Sequence, residues 1–345
     1  MIMIQNMSDK IKVVSFIATI FVVYRHSLNF LAFFGTWNGM GYSAWVQNGF
    51  MTLTQIAVPY FFIISGFFFF KRNYYEGFNC RHIVDSTWGK MIRVKFRTLL
   101  VPFIFWNFVG LLVLVITKQE YKFDISSLLN SDWYGPLWYV RDLMVLMFLI
   151  PLYQWIFNLE DISNKGVGIF KYVLLIGVFG ILYHYWIPVD TIFISSEGIL
   201  FFFIGGLLRK KDNLLSKRIS SRVLFALLVV WLLWSFSICK IRTFHGVYIF
   251  TGILLLWNLI DLFPSKLFCK ILEYSEYSFL IYVTHFYMIK IFKVALGNLF
   301  SGNEIISLIS YMGLPVLCVI IIIGLGKIMQ RNFPKIYAFT MGGRI

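Results

Sequence analysis

The chain has 345 residues, 59% of them hydrophobic and only 14% charged, with 38 Phe and a mean hydropathy of +0.77. Soluble domains run near ~45–50% apolar and ~25% charged, so these figures exclude an ordinary water-soluble protein and leave a polytopic membrane protein. Thirty-one Lys and Arg face sixteen Asp and Glu, a formal +15; in a soluble chain that surplus would suggest nucleic acid, but in a membrane chain its position decides its meaning.

Apolar stretches long enough to cross the bilayer as helices, about 17–25 residues each, run at 11–34, 47–70, 98–117, 136–157, 167–186, 192–208, 221–239, 245–263, 275–296 and 304–326. They predict an all-α polytopic fold of about ten transmembrane helices, forming a single integral membrane domain over 1–345. Continuous apolar runs exclude a barrel, whose strands would alternate. The tail, loops and end on the N-terminal side hold 23 Lys and Arg and the opposite loops hold 6, with Arg25 and Arg141 inside spans. The positive-inside rule then places both termini in the cytoplasm, as expected of a multi-pass protein of the plasma or inner membrane. The lipid bilayer accounts for the cations, and no nucleic-acid partner is needed. The first run follows Lys10 and Lys12 as a signal peptide would, but it continues through Arg25 and His26 without a small-residue cleavage site and is expected to be retained. Cys80, Cys239, Cys269 and Cys318 show neither metal-ligand nor redox spacing and read as isolated thiols, with no metal implied.

Ionisable groups inside spans are costly and mark candidate sites. In chain order they are Arg25 and His26, Arg141 and Asp142, Lys171 and His184, Glu197, and His285 with Lys290 and Lys293 near the outer end of its helix. His26 lies about 22 Å along the first helix, in the outer half, and Arg141, Asp142 and Glu197 lie within about 5–9 Å of the outer ends of theirs. Four groups at one depth are compatible with a polar cavity open to the outside. Each also has a plainer reading. His26 could bridge helices, Arg141–Asp142 could be a structural ion pair, and Glu197 could be a helix-end carboxylate bonded to Ser195 or Ser196. His285, nearer the midplane, could be a neutral core histidine, while Lys290 and Lys293 are expected to extend to the surface.

Several stretches resemble the acyltransferase 3 family of integral membrane acyltransferases. Lys12 through Tyr24-Arg25-His26 resembles the family's first helix, ending in its essential histidine, and Ala57-Val-Pro-Tyr-Phe-Phe-Ile-Ile-Ser-Gly66 its second-helix signature. Arg93-Val-Lys-Phe-Arg97, followed by Pro102-Phe-Ile-Phe-Trp106, is similar to the basic entry to the third helix. Pro136-Leu-Trp138-Tyr-Val-Arg141-Asp142 resembles the fourth-helix motif, and Tyr277-Ser-Phe-Leu-Ile-Tyr282-Val-Thr-His285 a late-helix motif. The ending, Phe333-Pro-Lys-Ile-Tyr337 and Gly342-Gly-Arg344, fits as well. One position departs: the family places Arg or Lys eleven residues before the histidine, and Ser15 stands there.

The resemblance implies O-acylation of a cell-surface or lipid-linked saccharide. Acyl transfer from a thioester to a hydroxyl needs a base, an oxyanion donor and a site for an anionic acyl carrier. His26 is the expected base and Arg141 the expected oxyanion donor, with Asp142, Glu197 and His285 as further catalytic candidates. Acyl-CoA, most simply acetyl-CoA, is the expected donor, and Lys71, Arg72, Lys90, Arg93, Lys95 and Arg97 are the cations on its side of the membrane; their plainer reading is topology alone. The competing class is a transporter or flippase for lipid-linked saccharides, which the lack of obvious inverted repeats disfavours.

Overall fold

The computed structural model describes residues 7–37, 41–70, 87–148, 150, 195–210, 215, 218–237 and 245–343. Among them there is no strand. The first helix, α1, spans Met7–Arg25 and stops in mid-span, with α2 resuming over Phe30–Phe34. Next come α3 (Gly41–Thr54) and α4 (Ala57–Phe69), separated by a two-residue turn. Between the predicted spans 47–70 and 98–117 the basic stretch is helical from Thr87 on: α5 spans Thr87–Lys95 and passes through a π-helical turn, Phe96–Leu100, into α6, Val101–Ile116. Pro102 has no amide hydrogen to give Thr98, and the chain winds wider there. Then follow α7 (Ile125–Asn130), α8 (Trp138–Phe148), α9 (Ser196–Lys210), α10 (Ser221–Phe236), α11 (His245–Leu259), α12 (Ser265–Tyr274), α13 (Ser278–Leu299), α14 (Glu304–Asn332) and α15 (Pro334–Thr340).

Among the described residues, six stretches are long and apolar enough to cross a bilayer: Met7–Phe34, Gly41–Phe69, Gly89–Ile116, His245–Leu262, Ser265–Leu299 and Glu304–Asn332. The chain is thus an all-α polytopic membrane protein. Of the other predicted spans, 221–239 is a helix of 16 residues, 136–157 and 192–208 are described in part, and 167–186, with Lys171 and His184, lies outside the described residues. The last span runs to Asn332, six residues beyond its predicted end, because Lys327, Gln330 and Arg331 are good helix formers and nothing stops the helix before Pro334. Apolar side chains left exposed on α10, such as Phe225, Val230 and Leu233, and on α14, such as Ile309, Ile320 and Ile328, would be intolerable in water. They are the lipid-facing surface.

The chain divides into two compact units. The first comprises Met1–Phe61 and Lys217–Pro334, the second Phe62–Ser216 and Lys335–Ile345. In the first, α1 is buried along Val13, Val14, Ala18 and Val23, packing against α3, α12, α13 and α14. Its cation Lys10 is buried: its Nζ is 2.8 Å from the Asp261 carboxylate and 4.4 Å from the Trp257 ring centroid.

In the second unit α4 and α9 cross at backbone contact. A Cβ on Gly66 would collide with the carbonyl of Phe202, and one on Gly205 with the carbonyl of Ile63. Membrane helices, which gain little from hydrophobicity in lipid, associate through such small-residue approaches. Replacing Gly205 by Leu is expected to destabilise this unit by about 1–3 kcal/mol or more, read as a lower melting temperature in detergent; an unchanged melting temperature would contradict the crossing.

Candidate active site

His26 does not sit within a continuous helix as the span 11–34 predicts. The helix ends at Arg25, and His26, Ser27, Leu28 and Asn29 form a break before α2. A break in lipid leaves backbone groups that water cannot reach, so each must find a protein partner. Ser27 turns its hydroxyl back to the Val23 carbonyl at 2.7 Å. Lys293 of α13, expected to reach for the surface, instead donates to the carbonyls of His26 at 3.1 Å and Leu28 at 3.0 Å. A cation at a helix C-terminus also meets the negative end of the helix dipole.

The far side of the break, at Asn29, is clamped by buried amides and hydroxyls from α3 and α14. Asn29 Nδ2 donates to the Ser307 carbonyl and the Ser310 hydroxyl, both at 2.8 Å. Gln47 Nε2 donates to Asn29 Oδ1 at 2.9 Å and to the hydroxyls of Ser43 and Ser307, each at 3.0 Å. The Ser307 hydroxyl also donates to Asn29 Oδ1, at 2.8 Å. A satisfied buried network of this kind fixes one geometry.

His26 is held on this turn against α13. Its ring lies 5.3 Å, centroid to centroid, from the His285 ring and 5.3 Å from Phe286, whose edge it meets at 88°. His26 is partly exposed and His285 has no exposure at all. His285 Nδ1 is 3.0 Å from the Ile281 carbonyl and 2.9 Å from the Tyr282 carbonyl. Carbonyls only accept, so Nδ1 carries the hydrogen and Nε2 keeps its lone pair. That Nε2 is buried with no hydrogen-bond partner among the described residues. The structure therefore brings together His26 and His285, which lie 259 residues apart in the sequence.

Lower on α1, Ser15 Oγ is 3.4 Å from the Tyr60 hydroxyl, which donates to the Ile11 carbonyl at 3.1 Å. Two neutral hydroxyls thus stand where the resemblance leads one to expect a cation.

In the second unit Arg141 and Asp142 form a buried pair. Arg141 Nη2 and Nε donate to Asp142 Oδ1 at 2.8 and 3.0 Å, and Nη1 to the Leu129 carbonyl at 3.4 Å. The other Asp142 oxygen accepts the Ser195 amide at 2.8 Å. Ser195 Oγ accepts the Gly198 amide and caps α9, whose first turn carries Glu197. Arg141, Asp142 and Glu197 are accordingly gathered at one end of this unit, around the start of α9.

The basic residues separate. Lys95 turns over the Phe69 ring, 5.1 Å from its centroid. Lys90, Arg93 and Arg97 are exposed, and Lys71 and Arg72 lie outside the described residues. Arg97 lines a cavity of about 540 Å³ with Thr98, Val101, Lys335, Ala338, Phe339, Gly342 and Gly343. A second cavity of about 700 Å³ is lined by Leu114, Gln119, Glu120, Tyr121, Lys122, Ser127, Asp132 and Trp133.

Fold and site thus define a polytopic helical membrane protein with an internal histidine pair at a broken helix. The model of the acyltransferase 3 family, described as an acyltransferase domain, matches residues 10–324. The chain belongs to that family. No curated protein and no solved structure matches it.

Sequence reasoning missed Lys293 as a helix cap and missed the Asn29–Gln47–Ser307 clamp. A signal existed: Ser43 and Gln47 are four apart, and Ser307 and Ser310 three apart, so each pair shares a helix face in an apolar setting. Replacing Gln47 by Leu strands buried partners and is expected to cost about 1–3 kcal/mol. Lys293→Met is expected to cost about 1–2 kcal/mol. Thermal unfolding in detergent checks both, and a wild-type melting temperature in either variant would contradict the clamp.

Proposed function

We propose that the protein transfers an acyl group, most simply acetyl, from acyl-CoA to a hydroxyl of a cell-surface or lipid-linked saccharide, with His26 as general base. The observation that carries this reading is the histidine pair: His26 on an irregular turn, its ring 5.3 Å from a second imidazole whose tautomer is fixed. Proximity of the two rings supports reading one as the base and the other as the group that orients it once a proton is taken up. In the reaction the acceptor oxygen attacks the thioester carbonyl as His26 takes the hydroxyl proton. The tetrahedral intermediate then collapses, the carbon–sulfur bond breaks, and the His26 imidazolium returns the proton to the departing CoA sulfur. His285 Nε2 is the acceptor for the second N–H of His26 as that ring becomes charged, a positioning role.

Arg93 and Arg97, four residues apart and exposed, are the donor-side cations, with Lys71, Arg72 and Lys95 as further members of the same basic stretch. Arg141, with two nitrogens committed to Asp142, is read as part of the support for the start of α9, together with Asp142 and Glu197. A saccharide acceptor is supported by the cavity of Gln119, Glu120, Tyr121 and Asp132: carboxylates and amides bond hydroxyls, and the loop carrying them falls on the cation-poor side of the membrane. The same charge count supports cytoplasmic termini and a place in the plasma or inner membrane.

His26→Ala tests the reading. Loss of a general base is expected to slow transfer of labelled acetyl from acetyl-CoA to purified saccharide by about 10²–10⁴-fold, with the melting temperature little changed. Undiminished transfer would exclude His26 as the base; a wild-type protein that moves saccharide across vesicles without acylating it would replace the whole reading with transport.

A further inference from the structure

Of the residues lining the cavity between the π turn and the C-terminal helix, the acyl-transfer reading uses only Arg97. Its walls come from two distant parts of the sequence: Arg97, Thr98 and Val101, and Lys335, Ala338, Phe339, Gly342 and Gly343. Both charged groups that line it are cations, and both are exposed. Phe339 lines the same cavity, an aromatic ring with 59% of its surface open, held by an edge contact with Phe105 at 6.2 Å and 86°.

The cavity floor is built for close approach. After α15 the chain takes two successive left-handed residues, Gly342 at φ 66° and Gly343 at φ 76°. A Cβ on Gly342 would run into the Thr98 carbonyl, the same carbonyl that Pro102 cannot bond in α-helical register. Glycine therefore lets the C-terminal turn seat directly on the π turn. A Cβ on Gly343 would meet nothing within 4 Å, so the wall there is bare backbone. Trp106 Nε1, donating to the Thr340 carbonyl at 3.2 Å, holds the same turn from α6.

Two cations, an open aromatic face and a volume of about 540 Å³, within the ~300–1,000 Å³ of small-molecule sites, suit a ligand that is both anionic and planar. Lone phosphate would leave the ring unused, and a fatty chain would leave the cations unpaired. A nucleotide answers both, since Arg and Lys take phosphate oxygens and an aromatic face stacks a base. We propose that this cavity binds the phosphorylated adenosine end of the acyl donor, with Arg97 and Lys335 on phosphate and Phe339 against adenine. The proposal rests on the reading of acyl-CoA as donor, and it makes the C-terminal helix part of the donor site.

The shared chemistry of phosphate and cation admits an anionic lipid headgroup as an alternative source, and the experiment separates the two. Full-length protein is placed in nanodiscs of phosphatidylcholine alone or with phosphatidylglycerol, and CoA binding is titrated by calorimetry. Adenosine 3′,5′-bisphosphate and inorganic phosphate serve as competitors. The expected result is CoA binding in both lipids, competed by the bisphosphate at far lower concentration than by phosphate. Arg97→Gln and Lys335→Gln should each weaken it roughly fivefold or more, Phe339→Ala should weaken it also, and Lys335→Arg should restore it. Wild-type CoA affinity in the Gln variants, with acyl transfer intact, would overturn the cavity assignment alone. Variants that change only the dependence on phosphatidylglycerol would assign the cavity to lipid and overturn the proposal. A wild-type protein that binds no CoA would overturn both this proposal and the donor reading.

Discussion

The rule that no backbone polar group can be left bare in hydrocarbon governs this protein most visibly at the break after Arg25. A transmembrane helix that simply continued would need no help. One that stops in the bilayer exposes carbonyls that only protein can satisfy, and here a lysine from α13 takes two of them while an amide network from α3 and α14 fixes the following residue. The costly interruption puts His26 on a turn, free of the constraints of helical packing, with its ring against a second histidine.

Two cations of the first unit are turned inward. Lys293 caps a helix, and Lys10 is buried between Asp261 and Trp257; both act as structural cations. Ser15 and Tyr60 leave the middle of α1 neutral. Cations with exposed side chains and a cavity to serve are found in the second unit, at Arg97 and Lys335. In this chain, then, the cation that holds the histidine turn and the exposed cations at the cavity are different residues.

Much of this is legible in the sequence. Apolar runs and the shortage of charge reveal helices in lipid, and the rarity of buried charge singles out His26, His285, Arg141 and Asp142, because each such group must have a compensating partner. What sequence does not reveal is partnership over distance. Lys293 looks like a residue reaching for the surface until the ends of α1 and α13 are seen to meet. Asn29, Gln47 and Ser307 are unremarkable alone, since uncharged polar residues are tolerated in membranes and only their mutual hydrogen bonding gives them weight. The basic stretch at 93–97 reads as a loop because charges suggest water, yet Arg, Lys and Met favour helix, and α5 extends through it until Pro102 forces the π turn. The seat of Gly342 on Thr98 depends on a contact across most of the chain, which no local pattern encodes.

The central claim is that His26 takes the proton from an acceptor reached from the side opposite the acyl donor. Its most direct test is a one-sided assay: proteoliposomes of defined orientation with labelled acetyl-CoA confined to the face bearing the termini and saccharide confined to the other. The account predicts label on the saccharide with intact vesicles, abolished by His26→Ala while CoA binding persists. Label appearing only on saccharide supplied with the donor, or equal labelling by the His26 variant, would contradict it.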